Sequence, residues 1–317
     1  MRRARQRGVA LLVAIVIFAI ATMVAAAVTY NKAMTARRAA ATFTMEQALQ
    51  AGMAAEALAS IALENDGPKP KTETTQDWAQ EQPPFEIEGT GMWIQGKVED
   101  LTGRFNLNSV VYWNPQANTF ELDRHQYDIF VTLLRDLDID VRYADLLVDW
   151  IDPDIAPASS GGEDTLYLSQ NPPYRPPNTF ITHTSELLAL PGFGRDNYLK
   201  IAPFVTALPN GETVNPCTAS GLVLDVTLND PNNQSQYRSV DLAQMREKGC
   251  WPVKADYTAP LSGPDKTKVE QRLDEKSKWF RLRTNIRIGT ADFVLYSVLF
   301  REPSNKVRVV QRSFGSE

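Results

Sequence analysis

The 317-residue sequence predicts an α+β fold, with a long N-terminal helix packed on an antiparallel sheet and an inserted all-α domain. Three observations support this fold class. A helix-compatible stretch runs without interruption from Val9 to Asn65, and strand-like segments occur both before residue 108 and after residue 205. Between 109 and 204 apolar residues recur at helical spacing. The sequence therefore divides into 31–108, an insert at 109–204, and 205–317, behind an apolar segment at 9–30.

The apolar segment is long enough to cross a membrane. Val9 to Val28 contains nothing more polar than Thr22, and twenty helical residues span roughly 30 Å, the thickness of a bilayer's hydrocarbon core. The arginines that precede it should stay in the cytoplasm and direct the rest of the chain to the other side: Arg2, Arg3, Arg5 and Arg7. A cleaved secretory signal ending near Ala25-Ala26-Ala27 is the alternative. The helical pattern that continues beyond this point favours a retained helix.

Beyond the membrane segment the same helix should continue to a clear stop at Asn65-Asp66-Gly67-Pro68. The whole helix would hold about 56 residues and be roughly 84 Å long. Its outer half shows a four-residue repeat that predicts one apolar stripe against the sheet, formed by Met45, Leu49, Met53, Ala57 and Ile61.

Strands are predicted on both sides of the insert. Before it, the strands are Met92–Val98 and Arg104–Asn108, joined by a turn at Thr102-Gly103. After it, β-branched and aromatic content predicts strands at Leu222–Leu228, Phe280–Ile288, Phe293–Phe300 and Val307–Val310. A helix is expected at Val240–Lys248. Short polar turns between consecutive strands indicate antiparallel pairing.

The densest group of acidic residues lies in the insert, in the segment LLVDWIDPDIAPASSGGEDTLY. Asp149, Asp152 and Asp154 stand at the end of a predicted helix, and a glycine-rich loop can bring Glu163 and Asp164 back to them. Carboxylates this close repel one another unless a cation neutralises them. Oxygen ligands on an irregular loop suit Ca²⁺, although the pattern is not an EF-hand. The spacing alone leaves a calcium site and a solvated acidic loop equally open.

Cys217 and Cys250 are the two cysteines of the chain. In an oxidising compartment they should form a disulfide, and two buried thiols are the alternative. A loop of this length would stabilise the fold by about 3 to 4 kcal/mol in the chain-entropy model.

The sequence offers no catalytic residues. His125 and His183 do not stand at a zinc spacing, and the chain contains no G-x-S-x-G, phosphate-loop or dinucleotide motif. The segment from Leu187 to Gly194 resembles a helix-hairpin-helix turn, which in some proteins binds DNA phosphates. The acidic surroundings favour a plain connection between two packed helices, so no nucleic-acid partner is expected.

Several motifs resemble one family. The basic leader ending in Gly8, followed by VALLVAIVIFAI, resembles a type IV prepilin leader, but Val13 stands where most prepilins carry glutamate. This departure resembles the K-type minor pseudopilins of type II secretion (general secretion pathway protein K). Later segments resemble the same branch. VEDLTGRFNLNSV resembles the segment that leads into its inserted helical domain, and WIDPD, GGED, PPYRPPN and SEL resemble the calcium-binding insert of that family.

The resemblance implies a pilin-like fold with a SAM-like insert, and cleavage between Gly8 and Val9 by prepilin peptidase. It implies Ca²⁺ ligands among the acidic residues, first Asp152, Asp154, Glu163 and Asp164, then Asp149 and Glu186.

It also implies a non-enzymatic subunit, anchored in the bacterial inner membrane with its body in the periplasm, at the tip of the pseudopilus. There it would initiate or cap assembly beside the I- and J-type minor pseudopilins, with the H-type as a further partner. Val13 fits a capping subunit, since it cannot neutralise a neighbour's N-terminal amine. The rival interpretation is a membrane-anchored or secreted calcium-dependent binding module or hydrolase unrelated to secretion.

Overall fold

A single helix, α1 (Arg7–Asp66), forms the first fifth of the chain. The computed structural model describes residues 7–154, 156–228 and 235–315, so residues 1–6 of the expected leader lie outside the described part. The 60 residues of α1 extend about 90 Å at 1.5 Å per residue. The prediction of one continuous helix through the apolar segment and beyond is confirmed.

The second half of α1 packs on a five-stranded antiparallel sheet whose strand order is β1-β2-β7-β8-β9. Two strands precede the insert and three follow it, which confirms a sheet split by an insertion. The strands are β1 (Phe85–Ile87), β2 (Met92–Asp100), β7 (Trp279–Ile288), β8 (Ala291–Arg301) and β9 (Val307–Phe314).

The helix presents a different face to this sheet than the one we expected. Met53 and Ile61 of the predicted stripe are 42% and 56% exposed. The buried side chains are instead mostly small: Ala48, Ala51, Ala55, Ala59 and Leu63. A Cβ on Gly52 would lie 2.3 Å from Cδ2 of Leu295, so the helix backbone comes close to β8 here. Small side chains allow this close approach, which is why the more hydrophobic stripe does not form the interface.

The insert begins and ends side by side. β3 (Phe105–Asn106) pairs in parallel with β6 (Val205–Thr206), so the chain enters and leaves this domain at one point. Its helices share one hydrophobic core around Phe130, Leu147 and Tyr167. They are α2 (Arg124–Asp136), α3 (Arg142–Ile151), α4 (Asp164–Leu168) and α5 (Gly194–Ile201). An antiparallel hairpin, β4 (Val111–Asn114) and β5 (Thr119–Leu122), also lies within 109–204, so the insert is mainly rather than wholly helical.

A second group of short helices separates the insert from the returning strands. The predicted strand at Leu222–Leu228 is wrong, because these residues form α6 (Gly221–Leu228). The segment is buried on nearly all sides, and periodicity cannot distinguish such a short apolar run from a strand. The helix expected at Val240–Lys248 is shorter, α7 (Leu242–Met245), and is followed by α8 (Lys254–Tyr257) and α9 (Gly263–Gln271). The sheet therefore resumes at Trp279, not at residue 205.

Asp100, at the end of β2, joins these parts of the molecule. Its Oδ2 accepts hydrogen bonds from Ser277 Oγ at 2.5 Å, Thr218 Oγ1 at 2.6 Å and Asn215 Nδ2 at 3.2 Å. Its Oδ1 accepts from Thr102 N at 2.9 Å. One buried carboxylate therefore connects the sheet, the start of the insert and the segment around Cys217.

Candidate metal centre

The acidic loop lies between the end of α3 and the start of α4. Asp149 is in the last turn of α3, Asp152 is its C-cap, and Glu163 is the N-cap of α4. The glycine-rich loop folds back as the sequence suggested. A carboxylate oxygen from each of these three residues lies within 4.8 Å of the others. Three of the six predicted ligands therefore come together.

Asp149 shapes the loop around this group. It is 1% exposed, and its Oδ2 accepts hydrogen bonds from Gly162 N at 2.6 Å and Ala158 N at 3.1 Å. A Cβ on Gly161 would lie 1.9 Å from the same oxygen, so only glycine allows this approach. Both glycines of the loop therefore contact Asp149: Gly161 leaves room for the carboxylate and Gly162 donates a hydrogen bond to it.

Two oxygens of the cluster are buried without a hydrogen-bond partner among the described residues. They are Oδ1 of Asp152 and Oε1 of Glu163. Burial, together with repulsion from neighbouring carboxylates, raises the pKa of both groups to about 7. Burial likewise raises the pKa of Asp149, although the backbone hydrogen bonds from Ala158 and Gly162 oppose this. The charged cluster is therefore unfavourable on its own, and a hard cation bound by oxygen ligands would offset the cost.

The other three predicted ligands have different surroundings. Asp154 accepts a hydrogen bond from Ala156 N at 2.7 Å and is close enough to raise the pKa of Asp152 and Glu163 by repulsion. Asp164 forms an ion pair with Arg175 at 3.0 Å. Glu186 accepts from Thr182 N at 2.7 Å and His183 N at 3.2 Å, so it caps the turn at Thr184–Ala189. Asp154 is exposed and lies near the cluster without being one of its three close carboxylates, whereas Asp164 and Glu186 are held by an ion pair and a turn.

The sequence interpretation missed Asp145. Its Oδ2 accepts a hydrogen bond from Ser160 N at 2.9 Å, and its Oδ1 accepts from the hydroxyl of Tyr127 at 2.5 Å. Asp145 and Asp149 are four residues apart and share one face of α3, which is the signal that could have identified it. Tyr167 was missed too, and its buried hydroxyl has no partner among the described residues.

Other predicted features have structural roles. Cys217 and Cys250 are joined by a disulfide bond, as predicted. His183 Nδ1 accepts from Ser185 N and begins the 184–189 turn, in agreement with a structural role. The turn before α5 places Gly192 and Gly194 at φ of 80° and 70°, with Phe193 buried against Tyr143. It connects packed elements, as the plainer interpretation of this motif expected.

The N-terminal part of α1 is long and apolar enough to cross a membrane, and its most apolar window is not buried against the described parts of the chain. Val9 and Val13 both lie on this exposed stretch. A core helix would be covered by other elements, so the segment is compatible with a single-pass membrane anchor.

Comparison with known proteins agrees with these features. A family model described as type II secretion system (T2SS), protein K matches residues 103–210, which include the insert. "Type II secretion system protein K" of Pectobacterium carotovorum is 30% identical over 99% of this chain and 98% of that protein. Its counterpart in Aeromonas hydrophila is 31% identical over 98% of each chain.

A solved structure shares the fold. The crystal structure of the "GspK-GspI-GspJ complex" from enterotoxigenic Escherichia coli contains a chain that matches with a TM-score of 0.75 at 22% identity. The match covers 88% of this chain and all of the other. With full-length relatives of about 30% identity and the same fold, the chain belongs to the protein K family of the type II secretion system and is a minor pseudopilin of that system.

Proposed function

We propose that this minor pseudopilin is anchored in the bacterial inner membrane and forms part of the pseudopilus tip in the periplasm, where it initiates or caps assembly. The exposed apolar part of α1 supports the anchor, since nothing else in the described chain covers it. The subunit has a structural role rather than an enzymatic one. Its partners would be the I- and J-type minor pseudopilins, with the H-type as a further neighbour.

The proposal of a complex with I- and J-type subunits is supported by the solved relative, which was crystallised in a GspK-GspI-GspJ complex. In this chain, the side chains that α1 leaves uncovered beyond the membrane segment include Met53, Leu58 and Ile61. An apolar strip on a helix is a suitable surface for neighbouring helices. The predicted stripe would then face other subunits instead of the sheet.

The proposed position at the tip rests on Val13 and on the insert. A pilin-type glutamate at this position would neutralise a neighbouring N-terminal amine within the membrane, and valine cannot. The insert, which runs between β3 and β6, adds bulk beyond the helix–sheet core. Both features favour a subunit with a neighbour on one side only.

We further propose that Asp149, Asp152 and Glu163 bind one structural Ca²⁺, with Asp154 as a fourth ligand. The two buried carboxylate oxygens without partners carry this proposal. The ion would neutralise the repulsion and fix the end of α3 to the start of α4, which shapes the insert.

Processing and function can be tested in one strain. In cells that lack their own protein K, the full-length chain should restore export of a type II substrate, and N-terminal sequencing should find Val9 first. Gly8→Leu should leave the precursor in the membrane and export should stop. A mature chain that starts near Val28 would instead support the secreted-module interpretation. Normal export in cells that lack the chain altogether would refute the secretion role.

A further inference from the structure

The sheet has a second face, opposite α1, that carries an excess of positive charge. Alternation along the strands places five basic side chains there: Lys97, Arg281, Arg283, Arg287 and Arg308. Three acidic side chains share this outer face: Glu86, Glu99 and Asp292. The chain as a whole has a net charge of -5, so this face has the opposite sign from the molecule that carries it.

Two of the basic side chains face each other directly. Lys97 on β2 pairs in register with Arg283 on β7. Like charges in this cross-strand position are destabilising. Arg283 is exposed and forms no ion pair with any residue that the structure describes. The nearest carboxylate to Lys97 is Glu99 at 4.0 Å, whose other oxygen already binds Arg104 and Arg281.

Beside this pair the outer face is recessed. A cleft of about 390 Å³ separates it from the insert and has apolar walls that include Phe180 and Val298. Trp279 lines the same cleft, and its buried Nε1 donor has no hydrogen-bond partner among the described residues. A second recess of about 630 Å³ lies at the other end of the face, between Trp93 and Arg287. The face therefore offers cationic groups, an unused donor and spaces for side chains.

We propose that this outer face is a docking site for an acidic, extended polypeptide segment of another protein. Carboxylates of the segment would lie over Arg283 and Lys97, and its apolar side chains would enter the two recesses. The cost of the Lys97–Arg283 contact in the isolated chain would then be recovered on binding, because a carboxylate placed between two cations attracts both.

The distance from the bilayer favours a protein over a lipid surface. This step rests on the proposed membrane anchor. The sheet first meets α1 at Ala48, twenty residues beyond Val28, which corresponds to roughly 30 Å of helix. Debye screening at physiological salt acts over about 8 Å, so headgroups of the anchoring membrane are too distant to neutralise the face.

The test compares two charge reversals in the full-length chain, held in neutral lipid nanodiscs. Arg283→Glu places a carboxylate opposite Lys97 and beside Arg281, whereas Lys248→Glu makes the same change at an exposed site near the disulfide. The probe is a fluorescent peptide of alternating Glu and Val. We expect the wild type to bind it, with affinity falling as salt rises. Arg283→Glu should weaken binding about tenfold, or about 1.4 kcal/mol, and Lys248→Glu should leave it unchanged.

Thermal melting separates docking from folding. Arg283→Glu should melt at the same temperature as the wild type or higher, because it replaces a repulsive pair by an attractive one. Failure of the wild type to bind the peptide, or equal weakening in both variants, would overturn the proposal. Binding of anionic lipid vesicles that is lost in Arg283→Glu would assign the face to lipid and overturn it too.

Export in cells gives a further readout. Arg283→Glu should reduce export of a type II substrate while Lys248→Glu supports it. Normal export by a variant that no longer binds peptide would refute a role for docking in secretion. Failure of the wild-type chain to restore export would count against the proposed function instead, and would leave the peptide result standing.

Discussion

Two of the buried carboxylate sites, one in the helix–sheet interface and one in the insert, differ in how their charge is compensated. Glu56 lies in the helix–sheet interface, where it accepts hydrogen bonds from Arg312 Nη2 at 2.7 Å and Ser297 Oγ at 2.6 Å. Asp152 and Glu163 lie in the insert and each have a buried oxygen without a partner among the described residues. The chain supplies its own counter-charge at the first site, whereas at the second the proposed cation would supply it. The sheet should therefore be stable by itself and the insert should depend on a cation.

Calcium should give the largest difference between the two regions. Binding to the folded chain alone stabilises it by about 2.7 kcal/mol when free calcium is a hundredfold above Kd. We expect thermal unfolding of the full-length chain to shift upward with calcium and less with magnesium, which demands a more rigid shell. Asp152→Asn with Glu163→Gln should abolish the response. Identical melting curves in calcium, magnesium and chelator would leave only a solvated acidic loop.

Removal of the carboxylate in the helix–sheet interface should destabilise the chain under all metal conditions. Glu56→Ala leaves Ser297 and Arg312 without their acceptor, and we expect a loss of about 2 kcal/mol. The guanidinium of Arg312 is partly exposed and recovers some hydration, which limits the cost. Glu46→Ala, at an exposed position on the same helix, is the matched control. A calcium-dependent effect of Glu56→Ala would contradict the separation of the two regions.

In chelator, removing the charges of the acidic loop should stabilise the chain, whereas Glu56→Ala should destabilise it. Asp152→Asn with Glu163→Gln removes two charges that repel each other and Asp149, so the metal-free variant should be more stable than the metal-free wild type by about 1 kcal/mol. Chemical denaturation in chelator measures this directly. A lower stability of the double variant would show that other groups of the chain already neutralise the negative charges of the loop.

The last expected difference is a pH dependence of the metal-free chain. The folded-state pKa values of Asp152 and Glu163 are raised to about 7, so between pH 4 and 7 the folded chain binds more protons than the unfolded one. Stability in chelator should therefore fall as pH rises from 5 to 8. In saturating calcium the trend should reverse, because protons then compete with the metal. Melting temperatures across this range in both conditions provide the test, and the same slope in both would refute it.

Much of the architecture followed from local sequence. The helix from the apolar segment to Asp66 and the strands β7, β8 and β9 have patterns and end signals that depend only on nearby residues. The loop between Asp149 and Glu163 was found because its carboxylates are close in sequence and its glycines permit a return. The disulfide followed from having only two cysteines.

Tertiary structure decided what periodicity could not. Close approach at Gly52, and not hydrophobicity, decided which face of α1 packs on the sheet, so Met53 and Ile61 of the predicted stripe remained exposed. Leu222–Leu228 forms a helix that the sequence did not reveal. Because the segment is buried on nearly all sides, its residues are mostly apolar and show no helical period. Three partners of Asp100 come from segments more than a hundred residues away: Asn215, Thr218 and Ser277. The cross-strand contact of Lys97 and Arg283 needs a strand pairing that spans the whole insert. Sequence determined the elements and their chemistry, whereas the fold decided which groups meet, because those contacts depend on shape and long-range pairing.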